Sequence, residues 1–578
     1  KMSDALINIT KEFSIKNLTT EISYTKNINA GLYSVFFQSG SLLNQDLSGS
    51  LINLERKKDQ IKIKSDISTN GKLNFEQIKK ISSLLNLNTN SFKDINGKAN
   101  LITSVFFDLN NQFKIKNLSY KTKGKISYLE IQSGQNKTIK NYLPKYDSKI
   151  IFKDTDIIFN NSKSGHITKL NGLIKIDEHF DSFDLSEKYN LKKKSSAIKG
   201  KISLTNSEIK ISKLNYFKDS GSDATLAFDV ILGKFYNINA LVYHESLTEI
   251  ILANVKLNKN FEITDFKQAN AKTFVDASIN NDFSLTKNNE IIITGKIFDA
   301  EPLLKSLYKN EGKKTFDKNF TSKIKINFEN ILTGTNDDVF KFAMISSIKN
   351  GSYEKLSLKG DFSPDEIIEM SIYQIDDEKK TLQVISDRAR PFIKNFNFIK
   401  GFEGGKLQYE SIISKESSKS NLKITDFRVS KVPSLAKLLT LASLQGIADT
   451  LSGEGIRFES FEMKSNTKGN TMNIEDALAI GPAVSILLEG YVDKGNLVSL
   501  RGTLVPATKL NSIIASIPVV GDILVGDKTG EGIVGVSFKM KGPPKNIKTT
   551  VNPIKTLTPR FIVRMVEKIR KKKNEDAK

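Results

Sequence analysis

The run Lys323-Ile324-Lys325-Ile326-Asn327-Phe328-Glu329 alternates polar and apolar residues with a period of two. Successive side chains of a strand point to opposite faces. Ile324, Ile326 and Phe328 therefore face one way, and Lys323, Lys325, Asn327 and Glu329 the other. The pattern recurs along the chain. Ile61, Ile63 and Ile67 alternate with Lys62, Lys64 and Asp66; Phe113 and Ile115 lie among Gln112, Lys114 and Lys116. Tyr236, Ile238, Ala240 and Val242 form one such run, and Val534, Val536, Phe538 and Met540 another. Each run predicts a strand with one apolar and one wet face.

Turn signals punctuate the runs: Asn70-Gly71, Asn96-Gly97, Asn171-Gly172, Asn350-Gly351, Gly404-Gly405 and Lys494-Gly495. Asn-Gly tolerates the positive φ of a tight hairpin, so the reading is a long antiparallel meander. At about 4.8 Å per strand, roughly 25–30 strands give a sheet on the order of 100 Å long. Its apolar face exceeds what a few helices can cover. It must curl on itself, pair with another sheet, or be covered by something else.

Short helices are expected at Asn74–Leu85, Asp299–Lys309, Val432–Leu451 and Pro506–Leu524, each after a strand. Asp299 is placed to cap, with Pro302 in the first turn. Residues 121–150 and 181–200 are Lys-rich and read as long loops or decorated hairpins.

The chain has 578 residues, 39% hydrophobic and 9% aromatic, too apolar for a disordered chain and long enough for several domains or one elongated body. It has no cysteine, which excludes disulfides and thiolate chemistry and fits an oxidising compartment. Lys+Arg number 87 against 64 Asp+Glu, a net charge of +23 that points to anionic partners, nucleic acid or membrane lipid. Almost all of that charge is dispersed Lys, whereas nucleic-acid sites favour the Arg fork, so most of it reads as solvated surface and no nucleic-acid partner is expected. No run approaches the ~18–20 apolar residues of a membrane-spanning helix, and no signal peptide is visible. The chain opens Lys1-Met2-Ser3 and enters strand-like sequence at once, so a native N-terminus is expected to lie beyond it.

No catalytic constellation appears. His166, His179 and His244 have no partner at helical spacing and read as ordinary strand or turn residues. Gly521 to Thr529 has glycine spacing reminiscent of a phosphate loop, but Asp527 stands before Lys528 and a helix-like run precedes it. The carboxylates Asp337-Asp338 and Asp376-Asp377-Glu378 read as solvated turns. No cofactor, no metal and no enzymatic activity are expected.

Two apolar helices and the C-terminal segment are candidates for a membrane-facing or gating end. Leu435, Leu438 and Leu439 form a stripe in the first, and Ile513, Ile514 and Ile517 in the second. They would plug the end of the sheet, dip into a bilayer, or do both. Thr558–Lys573 reads as a basic amphipathic helix, with Phe561, Ile562 and Met565 on one face and Arg560, Arg564 and Lys568 among its charges.

A resemblance accompanies these residues. Phe402-Glu403-Gly404-Gly405-Lys406-Leu407, Val432-Pro433-Ser434-Leu435, Gly490-Tyr491-Val492-Asp493, Gly502-Thr503-Leu504-Val505-Pro506-Ala507, Ile517-Pro518-Val519-Val520-Gly521 and Gly542-Pro543-Pro544-Lys545 together resemble the C-terminal region of AsmA-like proteins of the alphaproteobacterial type, clearest over 400–553. The resemblance implies a periplasmic cell-envelope protein, anchored to the inner membrane by an N-terminal helix absent from this chain. It implies a bridge-like lipid-transfer fold, in which phospholipid moves through an apolar groove between inner and outer membranes.

The expected fold is therefore mainly β: a long, curled antiparallel sheet forming an elongated apolar groove, with a few short helices and a C-terminal amphipathic helix. Residues 1–400 would form the groove region, 401–555 the AsmA-like module with helices at 432–451 and 506–524, and 556–578 the basic helix and tail. Ile324, Ile326, Phe328, Tyr236, Ile238, Val242, Val534, Val536 and Phe538 are the groove candidates. The expected partners are phospholipid, the membrane surface and other envelope proteins. Two further readings are a periplasmic assembly factor for outer-membrane proteins and, more remotely, a β-solenoid carbohydrate-active enzyme or adhesin.

Overall fold

A computed structural model of the chain describes residues 1–8, 13–27, 30–57, 60–84, 92–110, 112, 114–133, 137–259, 262–309, 316, 318–335, 337–376, 378–393, 401–430, 432–441, 447, 449, 453–493, 496–506, 535–543 and 546–554. It is mainly β, a long antiparallel sheet with few short helices. Two compact units are resolved, Lys1–Lys287 and Asn288–Lys578, so the boundary expected near residue 400 falls within the second.

In the first unit the main strands, from Ser14–Asn27 to Ser278–Lys287, each pair antiparallel with the next. Directly paired residues share a face. One face therefore gathers Ile63, Val105, Tyr120, Ile126, Leu129, Phe159, Leu170, Phe183, Ile198 and Phe228. The other carries Lys62, Lys64, Lys123, Lys125, Lys169, Lys199 and Lys201. Residues 121–150, read as a long loop or decorated hairpin, belong to a hairpin in which Ile115–Ser133 pairs with Lys149–Ser162 and the connection carries the helix Lys137–Tyr142. Lys121, Lys123 and Lys125 are exposed while Thr122, Gly124 and Ile126 between them are half-buried, all in strand Ile115–Ser133. High Lys content concealed a strand because every Lys sits on the wet face. Residues 181–200 form the expected hairpin, Phe180–Asn190 with Ser195–Ser203.

Alternating strand direction puts the connections on two rims. One rim carries the helices and most long insertions: residues 43–50, the helix Phe75–Leu84, the helix Lys137–Tyr142, and the small hairpin Ile209–Ile211/Tyr216–Lys218. Asn74 caps the first helix reciprocally with Gln77, N to Oδ1 3.0 Å and back 2.9 Å. The small hairpin folds onto the apolar face, where Ile209 and Tyr216 bury against Ala224, Tyr243, Ile250 and Ala271. Leu47 does the same against Leu18 and Phe37. The other rim is made of short connections apart from 258–267, which carries the strand Ile263–Asp265.

In the second unit Ile291–Asp299 and Ser322–Leu332 run parallel, a departure from the all-antiparallel expectation. A parallel pair needs a crossover, and the helix Glu301–Lys309 lies in it, its first turn held by Asp299 Oδ1 accepting from Glu301 N at 3.0 Å. From Ser322–Leu332 onward the pairing is antiparallel to Lys548–Ile554. The helices Arg390–Ile393 and Pro433–Leu441 leave one rim and pack on the apolar face around Phe402, Phe427, Phe458 and Phe538.

Asn350-Gly351 is a hairpin turn, φ 51° and 72°, as its sequence predicts. Asn70-Gly71, Asn96-Gly97 and Asn171-Gly172 lie within strands instead. There glycine serves close approach. A Cβ on Gly71 would stand 2.8 Å from the Asn44 carbonyl oxygen, and one on Gly172 2.6 Å from Thr155 Cα. Gly404-Gly405 sits inside strand Gly401–Ile413 at positive φ, and Lys494-Gly495 lies outside the described residues.

Candidate functional site: the apolar face of the sheet

Register turns the apolar face into rows. In the second unit one row of directly paired residues runs Ile326, Met344, Leu358, Met370, Val384, Tyr409, Leu422, Met463, Ala477, Leu488, Gly502, Phe538, Val551. Tyr409 carries the row's one polar side-chain atom. In the first unit a row runs Leu101, Gly124, Ile157, Leu170, Leu185, Gly200, Phe228, Leu241, Leu252, Ala269, Leu285. Ile157, Leu170, Leu185, Leu241 and Leu252 on it are half-buried. An apolar row that is not closed off keeps contact with solvent and offers hydrocarbon a place.

The candidates of the strand runs fall as follows. Ile324, Ile326 and Phe328 share the apolar face, Ile324 and Phe328 buried and Ile326 half-buried. Val536 and Phe538 share it too and are buried; Val534 lies outside the described residues. Tyr236 and Ile238 lie on the apolar face, but Val242 does not. A register shift opposite Asp229/Val230 leaves Asn239 as an extra residue, so Val242 pairs with Ala227 on the far face and Leu241 and Tyr243 take its place. Asn239 Nδ2 donates to Asp229 Oδ1 at 3.1 Å beside the bulge.

Of the readings offered for the first helix, core plug or membrane dip, its burial fits the core. Leu438 and Leu439 are 3% and 0% exposed and belong to the core of the second unit, with Leu435 packed against it. The stripe docks the helix because it is the helix's apolar side and the sheet offers an apolar surface beside it. Ile513, Ile514, Ile517, Arg560, Phe561, Ile562, Arg564, Met565 and Lys568 lie outside the described residues, as do the helix read at Thr558–Lys573 and all of the helix read at Pro506–Leu524 except Pro506, which ends the strand Leu497–Pro506.

Sequence reading missed one cluster. Tyr120, Phe159, His166 and Tyr189, from four adjacent strands, stack in a row on the apolar face with centroids 5.7, 5.1 and 4.9 Å apart. Beside them Glu187 Oε1 accepts from Ser196 Oγ at 2.6 Å, and its Oε2 accepts from Thr168 Oγ1 at 3.3 Å and lies 3.6 Å from His166 Nε2. A hydrolytic triad requires Ser to His to carboxylate. Here Ser196 and His166 both address the carboxylate, so the order is absent. No group of three or more metal-ligating side chains occurs among the described residues. A shallow pocket among the last four strands holds Glu489 and Arg501, which pair with each other at 2.8 Å.

The rims differ in charge. In the first unit the described connections on the rim opposite the helices (57, 112, 114, 163–164, 191–194, 233–235, 258–259, 262–267) hold Lys57, Lys114, Lys163, Lys192, Lys193, Lys194, Lys234, Lys259 and Lys267 against Glu262 and Asp265. On the opposite rim, lysines and carboxylates are nearly balanced. Carboxylates there include Asp46, Asp177, Glu178, Glu208, Asp219, Asp223 and Asp276.

No family model, curated protein or solved structure matches this chain.

Proposed function

We propose that the protein is a non-enzymatic conduit that carries phospholipid along the apolar face of its sheet, between inner and outer membranes. In this reading the sheet curls into a groove, acyl chains lie along the apolar rows, and headgroups stay at a wet edge. The observation that carries it is the half-buried row from Leu101 to Leu285; its counterpart from Ile326 to Val551 is apolar across thirteen positions but for the Tyr409 hydroxyl, with Val384 and Phe538 packed in the core of the second unit. Moving hydrocarbon out of water yields about 0.8 kcal/mol per CH₂, so a chain on such a row is strongly favoured over one in water. The likeness of residues 400–553 to AsmA-like proteins supports the same reading. Directionality would come from partners or gradients, since no nucleotide-binding motif is present.

The test compares one chemical change on two faces. Ile126 is half-buried on the apolar face, and Ile158 is 42% exposed on the other. Ile126→Asp places a charge in the path of the tails and is expected to lower transfer of a fluorescent phospholipid between vesicles at least about tenfold, with an unchanged circular dichroism spectrum. Ile158→Asp should leave transfer intact. Equal transfer by both variants would sink the conduit. Crosslinks to unfolded barrel proteins, with no lipid co-purifying, would replace it with the assembly-factor reading.

A further inference from the structure

We propose that the Lys-bearing rim of the first unit receives the phosphates of anionic phospholipids whose acyl chains lie on the adjoining apolar face. The inference rests on the conduit reading and adds a headgroup class and an orientation. Three bands succeed one another toward this rim. First comes hydrocarbon, the row through Ile157, Leu170 and Leu185. Next, within the same strands and nearer their rim ends, come the stacked rings of Phe159, His166 and Tyr189. Beyond them are the turns with Lys163, Lys192, Lys193 and Lys194, all exposed. Hydrocarbon, then amphipathic ring, then cation is the order that meets tail, glycerol ester and phosphate in turn.

Most of the charge at this rim is uncompensated, Lys57 with its 2.9 Å pair to Glu55 being an exception. Among the described residues, Lys114, Lys163, Lys192, Lys193, Lys194 and Lys234 make no salt bridge; Lys163 Nζ donates to Asn117 Oδ1 at 3.2 Å. Turns as such are not basic. In the second unit the corresponding short connections hold, among the described residues, Lys379 and Lys415 against Asp376, Glu378 and Glu416. Successive turns on one rim are two strands apart, roughly 10 Å. That is close to the screening length at physiological salt, about 8 Å, so neighbouring turns reinforce each other's potential. A soluble phosphate would use the lysines but neither the rings nor the hydrocarbon beside them.

The test uses the full chain with phosphatidylglycerol and phosphatidylcholine carrying the same labelled acyl chain in otherwise identical vesicles. Wild-type protein should extract more phosphatidylglycerol, and added NaCl should erase the difference. Lys163→Gln with Lys192→Gln, Lys193→Gln and Lys194→Gln should cut phosphatidylglycerol extraction at least about fivefold and spare phosphatidylcholine. Lys121→Gln with Lys123→Gln and Lys125→Gln, which strips charge from the outer face of the same unit, should change neither. Equal extraction of the two lipids by wild type, or equal losses in the two variants, would overturn the rim assignment and leave the conduit standing. Displacement of bound lipid by excess glycerol 3-phosphate would reassign the rim to soluble phosphate. Extraction of neither lipid would remove both readings.

Discussion

The ring of Phe228 lies across Gly200 of the paired strand, so close that a Cβ on Gly200 would stand 2.6 Å from Phe228 Cζ. Phe538 lies across Gly502 in the same way, with 2.7 Å to its Cζ. In both units an aromatic ring is laid flat along the apolar row because its neighbour lacks a side chain. Gly200→Ala should lift the Phe228 ring and cost about 1–3 kcal/mol, read as a lower urea midpoint with unchanged slope. A variant as stable as the parent would show that the ring finds another rotamer freely.

Phe328 is 5% exposed, whereas Lys323 on the opposite face of the same strand is exposed. Phe328→Ala is expected to destabilise by about 3–5 kcal/mol and Lys323→Ala by less than about 0.5 kcal/mol. Similar losses from the two would contradict the assignment of faces.

Asp337, 5% exposed at its side chain, accepts from Arg388 Nη1 at 3.2 Å and Arg390 Nη2 at 2.9 Å, while Arg388 also bonds Glu366. Arg388 holds the Glu366 carboxyl below its ordinary 4.5, with Ser363 helping. The Ile367 N–H, and then Lys406, hold Asp387 below its ordinary 3.8. As pH falls, the unfolded chain takes up these protons first. The stability they confer is present above the ordinary values and is lost as pH drops through the depressed ones. The urea midpoint should fall with acidification below about pH 4.5, and less steeply in Glu366→Gln. An identical pH profile in that variant would exclude the linkage.

Tyr216 and Tyr243 share a hydroxyl–hydroxyl bond of 2.7 Å, and Tyr216 donates to Glu245 at 3.0 Å. Lys218 Nζ donates to the carbonyls of Thr205, Ser207 and Asp219 at 3.0, 3.0 and 2.9 Å. The Tyr216 bonds fasten the small hairpin to the sheet, and the Lys218 bonds tie the insertion to itself. Tyr216→Phe should cost about 1 kcal/mol and speed amide exchange selectively at 209–218. Exchange that rises across the whole unit would mean that the hairpin does not open by itself.

The sequence announced the face of Ile61, Ile63 and Ile67, and of Ile324, Ile326 and Phe328, because a period of two needs no knowledge of neighbours. It misled at Val242, where a bulge at Asn239 reverses the phase and leaves no compositional mark. It misled at Asn70-Gly71 and Asn171-Gly172, where glycine answers to a neighbouring backbone and not to a turn. The His166–Glu187 cluster was hidden because its members come from successive hairpins and meet through register. The Lys rim was hidden for a related reason: in one dimension its lysines are scattered among many others, and strand direction alone sorts them to one side.

Placing the helices and most long insertions on one rim of the first unit has a consequence for how such a chain can change. Each hairpin is a removable tile: its two strands meet their neighbours through backbone bonds, and its turn touches the short-turn rim alone. Gaining or losing a tile would alter the reach of the sheet and leave its cross-section intact. Length is then a quantity that can change separately from whatever the face holds.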